Sequence, residues 1–266
     1  MEVVMINNIV VGVDGSDASR NAMAWASDVC AGTGARLAMV HAVQPPSAEV
    51  DPERIARLRA SARDQLDGAW AGPARARGVQ VERRVVDASP RQALVAEARD
   101  HHPDLVVVGR GGTGPGSVAS DLAHELTVPL VLVGAYESDT GRPVVVGDDG
   151  SDAVGAAEQL AAELADALGS RLVPVHASSG EDEVPADGAG EGSRSDADGP
   201  GARRPSVIVD RPAAEGLDEV ADETGAACLV VGTRSHGLLA DLRLGRVASR
   251  LIDDARVPLV IVTHDR

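Results

Sequence analysis

Between Leu105 and Leu126 the chain reads LVVVGRGGTGPGSVASDLAHEL, an apolar run that ends in clustered glycines and opens directly onto an amphipathic segment. Residues of these types in this order can hold phosphate. Gly109, Gly112 and Gly116 leave backbone amides accessible, and a helix starting at Ser117 aims its free N–H groups and the positive end of its dipole at the same loop. A tight strand-to-helix turn with no ligand would use the same residues. The layout returns from Cys228 onward: an apolar run to Gly232, a loop through Ser235 and His236 to Gly245 and Arg246, a helical pattern, and a last apolar run entered through Pro258.

Two further pairs of polar residues recur. Asp14 follows the first apolar run in Val13-Asp14-Gly15-Ser16, and Asp149 stands 135 residues later in the matching Asp148-Asp149-Gly150-Ser151. His41 and His176 share that offset, each at the end of a second apolar run. Each aspartate is either a turn-capping carboxylate or a carboxylate open to a ligand. The histidines lack a cysteine or carboxylate at ligand spacing, so no metal site is expected. Acyl transfer is not supported either, since no nucleophile elbow occurs and Ser117 has no neighbouring base.

Composition narrows the field. The net charge of −16 opposes a nucleic-acid partner, which would need clustered positive charge. All 25 basic residues are arginine. Without lysine there is no Schiff base and no lysine clamp on phosphate. Cys30 and Cys228 stand alone, as small buried hydrophobes in a reducing compartment would. No apolar run spans a bilayer and the N-terminus lacks a basic flank and cleavage site, so a cytoplasmic protein without membrane contact is expected.

These residues need elements to hold them. Strands are predicted at Ile9 to Val13, Leu37 to Val43, around Val79, Val81 and Val85, at Leu105 to Val108, and at Leu130 to Val133. Helices separate them: one capped by Ser16 and stopped near Gly32-Thr33-Gly34, a long one from Pro52 with Ile55, Leu58, Ala62, Leu66 and Ala69 on its apolar stripe, one from Pro90, and one from Ser117 burying Val118, Leu122 and Leu126. Gly72-Pro73 should disrupt the long helix. Crossovers of this length make all five strands parallel, giving a doubly wound α/β domain over residues 1–136. A polar linker at 137–142 leads to a second domain at 143–266, which repeats the first. The second copy replaces the long helix with a Gly-, Ser-, Pro- and acid-rich insertion at 178–205, expected to be a flexible surface loop.

Taken together, the strand ending in Val13-Asp14-Gly15-Ser16, the strand ending in His41, the Pro90 helix, the glycine loop after Val108, the Val128-Pro129-Leu130 strand entry and their second-half counterparts resemble the universal stress protein family, in a tandem two-domain form. The resemblance covers nearly the whole chain. It implies two five-stranded parallel sheets of order 3-2-1-4-5, in the manner of adenine-nucleotide-binding α/β folds, and a regulatory stress role without a defined reaction. Its ATP-binding members use a motif of glycine, two residues, glycine, nine residues, glycine, then Ser or Thr. By that resemblance the ligand would be ATP with Mg, or cyclic AMP, and the site residues Val13, Asp14, His41, Gly109, Gly112, Gly116 and Ser117, with Asp149, His176, Gly232, Ser235, Gly245 and Arg246 in the second half. Neither copy keeps the full motif. The first has only Thr113, Gly114 and Pro115 where nine residues belong, and the second has Ser235 for glycine and Arg246 for Ser/Thr. Arg246 either clamps a phosphate or fills the pocket. The alternative is a stress factor that contacts an unidentified protein and binds no nucleotide. The resemblance further implies an intramolecular pseudo-dimer through Leu130 to Val133 and Leu259 to Val262, leaving assembly of whole chains into a homo-oligomer open.

Overall fold

The computed structural model describes residues 5–44, 52–111, 117–139, 141–148, 154–177, 207–233 and 244–263. Consecutive branched apolar residues leave no polar face for solvent, and β4 (Leu105–Gly109) accordingly lies inside a parallel sheet, between β1 (Asn8–Gly12) and β5 (Leu130–Val133). With β2 (Arg36–Ala42) and β3 (Val81–Val86) the first half has the order β3-β2-β1-β4-β5. The second half repeats it with β6 (Val144–Gly147), β7 (Leu172–Ala177), β8 (Val207–Val209), β9 (Cys228–Thr233) and β10 (Leu259–Thr263), in the order β8-β7-β6-β9-β10. Both halves are therefore doubly wound with the 3-2-1-4-5 order. They share one ten-stranded sheet, because β5 and β10 pair antiparallel.

That joint is built on a pseudo-two-fold axis. Val131 pairs with Val260, its own counterpart in the repeat. On one face of the sheet, Gly32 of α1 (Asp17–Thr33) meets Ala167 of α6 (Val154–Ala167), again its counterpart, 135 residues on. A Cβ at Gly32 would collide with the Ala167 carbonyl, so glycine is what lets the two helices touch. α2 (Pro52–Asp67) and α3 (Gly72–Ala76) share this face, while α4 (Pro90–His101), α5 (Val118–Glu125), α7 (Ala213–Glu223) and α8 (Arg246–Asp254) cover the other. Strand side chains alternate between the two layers: Val11 and Val107 enter one, Val10 and Val106 the other. Each apolar layer runs unbroken through both halves.

Several boundaries differ from expectation. β1 ends at Gly12 rather than Val13, although the Val13 amide still donates to the Val40 carbonyl at 2.9 Å. The long helix stops at Asp67 and only Ala62 and Leu66 are buried. Leu58 is 40% exposed, because α2 packs on the edge strand β3 and overhangs the sheet. Gly72-Pro73, expected to disrupt that helix, lies past its end and instead starts α3, where proline lacks only an amide that a first turn leaves unpaired anyway. Val79 precedes β3, and Val118, expected in the core with Leu122 and Leu126, is 37% exposed. β8 is a strand with no individual forecast. The insertion at 178–205 and the proposed cap Asp51 lie outside the described residues.

Candidate functional site

In the first half, β1 leads into a helix on one face and β4 into a helix on the other, so the sheet opens a crevice beyond their carboxyl ends. A cavity of about 140 Å³ occupies it, walled by Gly12 to Asp14 after β1, His41 at the end of β2, Gly109 and Gly111 after β4, and Pro90, Ala93 and Leu94 of α4. α4 comes close because Gly12 has no side chain: a Cβ there would stand 3.0 Å from a Leu94 methyl.

Asp14 is tied into the first turn of α1. Its Oδ1 accepts from the Ser16 amide at 2.9 Å and from the Ser16 hydroxyl at 2.6 Å, while Ser16 Oγ accepts from the Ser19 amide at 3.1 Å and caps the helix. Burial pushes the Asp14 carboxyl up, but the hydrogen bonds from the Ser16 side chain and backbone, with help from Ser19, outweigh it and hold the group below the usual carboxylate range. The turn-capping reading of this aspartate is seen directly, and its carboxylate also stands at the cavity wall.

His41 places its Nδ1 at 2.7 Å from the Val13 carbonyl. A carbonyl only accepts, so Nδ1 carries the hydrogen, and among the described residues Nε2 has no hydrogen-bond partner. The ring packs against Trp70, with centroids 4.9 Å apart at 58°. Trp70 also roofs Gly15, where φ is +83° and a Cβ would lie 2.8 Å from the indole. Sequence reasoning missed Trp70, which packs on the cavity residue His41 from behind without lining the cavity itself. Its position after α2 carries no periodic signal that ties it to β2.

Gly109 is fixed by space, since a Cβ would sit 2.5 Å from the Ala18 carbonyl carbon in the first turn of α1. Gly111, in contrast, faces open space. Ser117 Oγ accepts from the Ser120 amide at 3.2 Å and caps α5, which leaves the other first-turn amides of that helix to the loop. Gly112 and Gly116 lie outside the described residues, as do Asp149, Ser235 and His236.

The second half keeps the frame of the pocket. His176 Nδ1 donates to the Asp148 carbonyl at 2.7 Å, and the Asp148 amide to the Val175 carbonyl at 2.8 Å, matching the His41 and Val13 bonds residue for residue. Gly147 receives Leu217 as Gly12 receives Leu94, with a Cβ distance of 3.1 Å. The phosphate side differs. Gly232 is exposed at the end of β9, Gly245 caps α8 without a side-chain hydrogen bond, and Arg246 is the exposed first residue of that helix. A guanidinium there opposes the helix dipole unless it shares an anion with it.

Among the described residues no group of three His, Cys, Asp or Glu could hold a metal ion, and no helix is long and apolar enough to cross a membrane. Cys30 and Cys228 are free and buried, and burial pushes both thiols up to about 12, which makes them poor nucleophiles at neutral pH.

Comparison with known proteins adds a family to this geometry. The model of the universal stress protein family matches residues 5–134 and again 141–263. A universal stress protein of Mycobacterium tuberculosis is 30% identical over 287 residues, covering 95% of each chain. One of Mycolicibacterium smegmatis is 26% identical over 287 residues, covering 96% of each. Among solved structures, a universal stress protein from Archaeoglobus fulgidus gives a TM-score of 0.74 at 16% identity, covering 98% of this chain and 100% of that one, a likeness of fold.

Proposed function

This chain belongs to the universal stress protein family, and from that premise we propose that its first half is an adenine-nucleotide-binding module with a regulatory role. The observation that carries the reading is the crevice at the reversal of strand order, where an ionised Asp14, the free Nε2 of His41 and the glycine end of β4 converge on one cavity. At about 140 Å³ the cavity is smaller than the roughly 300–1,000 Å³ that enclose a whole ligand, so it suits the base end of a nucleotide. The ribose would lie against Asp14, and the phosphates with their Mg along Gly109, Gly111 and the first turn of α5. His41 Nε2 accepts from an exocyclic amine, as an adenine offers.

A regulatory rather than catalytic role follows from what the polar side chains already do. Ser16 and Ser117 cap helices, Ser19 Oγ donates to the Ser16 carbonyl, and both thiols are buried, so the described residues bring no activated nucleophile to the cavity. A cytoplasmic setting suits two unpaired thiols. In the second half the exposed Arg246 at the start of α8 favours a weaker or purely structural site.

Calorimetric titration of the full chain with ATP·Mg tests the proposal, alongside mass spectrometry of any small molecule released on denaturation. Binding near one site per chain, weakened about tenfold in Asp14→Ala by loss of a charged hydrogen-bond partner, is the expected result. No heat at millimolar ATP and no released nucleotide would leave a protein-interaction factor as the better account.

A further inference from the structure

Arg110 follows Gly109, the residue that ends β4 and lines the cavity, yet its side chain leaves the first half altogether. The guanidinium donates through Nη1 to the carbonyl of Ala255, the residue that ends α8, and through Nη2 to the carbonyl of Val257 at 3.2 Å. It is a half-buried cation whose acceptors are two main-chain carbonyls at and just past a helix C-terminus, where the dipole favours positive charge. Burial draws its pKa down, and Asp218 and Asp253 push it back up. Among the described residues Nε is buried with no hydrogen-bond partner, so the guanidinium's polar contacts there are those to the two carbonyls after α8.

The main chain at Arg110 and just before it is held in place. The Arg110 amide donates to the Val133 carbonyl at 2.7 Å, and Gly109 abuts the first turn of α1. The guanidinium thus joins the end of β4 to the end of α8, a nine-residue helix whose first residue is Arg246. The counterpart of Arg110 in the second half is Thr233, whose hydroxyl lies 3.4 Å from the Val262 carbonyl of its own half and makes no reach across. The repeat is symmetric in its backbone and asymmetric in this contact.

We propose that Arg110 couples the first-half cavity to helix α8, so that a nucleotide held at the β4 end restrains the helix that begins at the second glycine loop. The inference rests on the nucleotide-binding reading above. By linkage the effect is reciprocal, so an anion that orders α8 through Arg246 tightens nucleotide binding in the first half by the same factor.

Hydrogen–deuterium exchange on the full chain, with and without ATP·Mg, reads the coupling. In the wild type, amides of α8 near Ala255 should exchange about fivefold more slowly with nucleotide bound. Arg110→Thr introduces the residue that the second half uses at this position, and Arg110→Met keeps more of the apolar stem. Both should bind ATP·Mg within about threefold of the wild type, since Arg110 is not part of the cavity wall, and both should lose the α8 response. Binding without any α8 response in the wild type, or an equal response in the two variants, overturns the coupling and leaves the binding reading intact. Absence of ATP binding in the wild type overturns both.

Discussion

Asp14 is the residue where local structure and the proposed ligand site meet most directly. Its carboxylate bonds the amide and hydroxyl of Ser16, which in turn caps α1. Because those bonds lower its folded pKa, the sign is fixed: Asp14 stabilises the fold above the ordinary carboxylate range and loses that contribution as pH falls through the lowered value. The wild type should therefore unfold at higher urea than Asp14→Asn at pH 7, with the gap closing below about pH 4. A gap of constant size from pH 7 to pH 3 would show that the charge plays no part. His41 acts in a similar way, since its Nδ1 fastens the turn after β1 to β2.

At the level of elements, the contact between the end of β4 and the first turn of α1 sets the width of the crevice. Gly109→Ala places a methyl 2.5 Å from the Ala18 carbonyl carbon, so α1 must move; a loss of about 1–3 kcal/mol in unfolding free energy is expected, of the size found for overpacked cores. Gly111→Ala, two residues on, meets open space and should stay within about 0.5 kcal/mol of the wild type. Equal stability of the two variants in urea melts would contradict this packing. Helix α2 shows how far periodicity reaches. Its stripe of Ile55, Leu58, Ala62 and Leu66 is amphipathic in sequence, but an edge strand gives it only half a surface to cover, and Leu58 stays exposed.

Across the whole molecule, the two halves unite at residues that are each other's counterparts. Val131 pairs with Val260 in the sheet, and Gly32 lies on Ala167 between the helices. The Ile6 amide of the first half also donates to Glu163 of α6, and Tyr136 after β5 donates to Asp28 of α1 at 2.8 Å, so the segment leading to the second half is fastened too. Gly32→Val should force α1 and α6 apart while leaving each half's own core in place. The expected result is a urea transition about 3 kcal/mol weaker that separates into two steps. A single transition of unchanged midpoint would mean that the helix contact contributes nothing to joining the halves.

The repeat, the strand and helix types, the caps at Ser16 and Ser117, and the glycine loop are all set by local pattern: runs of branched residues, offsets of 135 between Asp14 and Asp149 and between His41 and His176, and turn residues where the chain reverses. The turn, cap and strand signals act over a few residues, and the repeat is read by matching them between the two copies, so neither needs tertiary context. Trp70 against His41, Leu94 against Gly12, the exposure of Leu58 and Val118, and the reach of Arg110 into α8 depend on which surfaces meet after the sheet is wound. Contacts between residues 145 or more positions apart leave no periodic trace in the chain. They are decided by the packing of layers, and the asymmetry between Arg110 and Thr233 acquires meaning only once β5 and β10 have joined the two copies into one sheet.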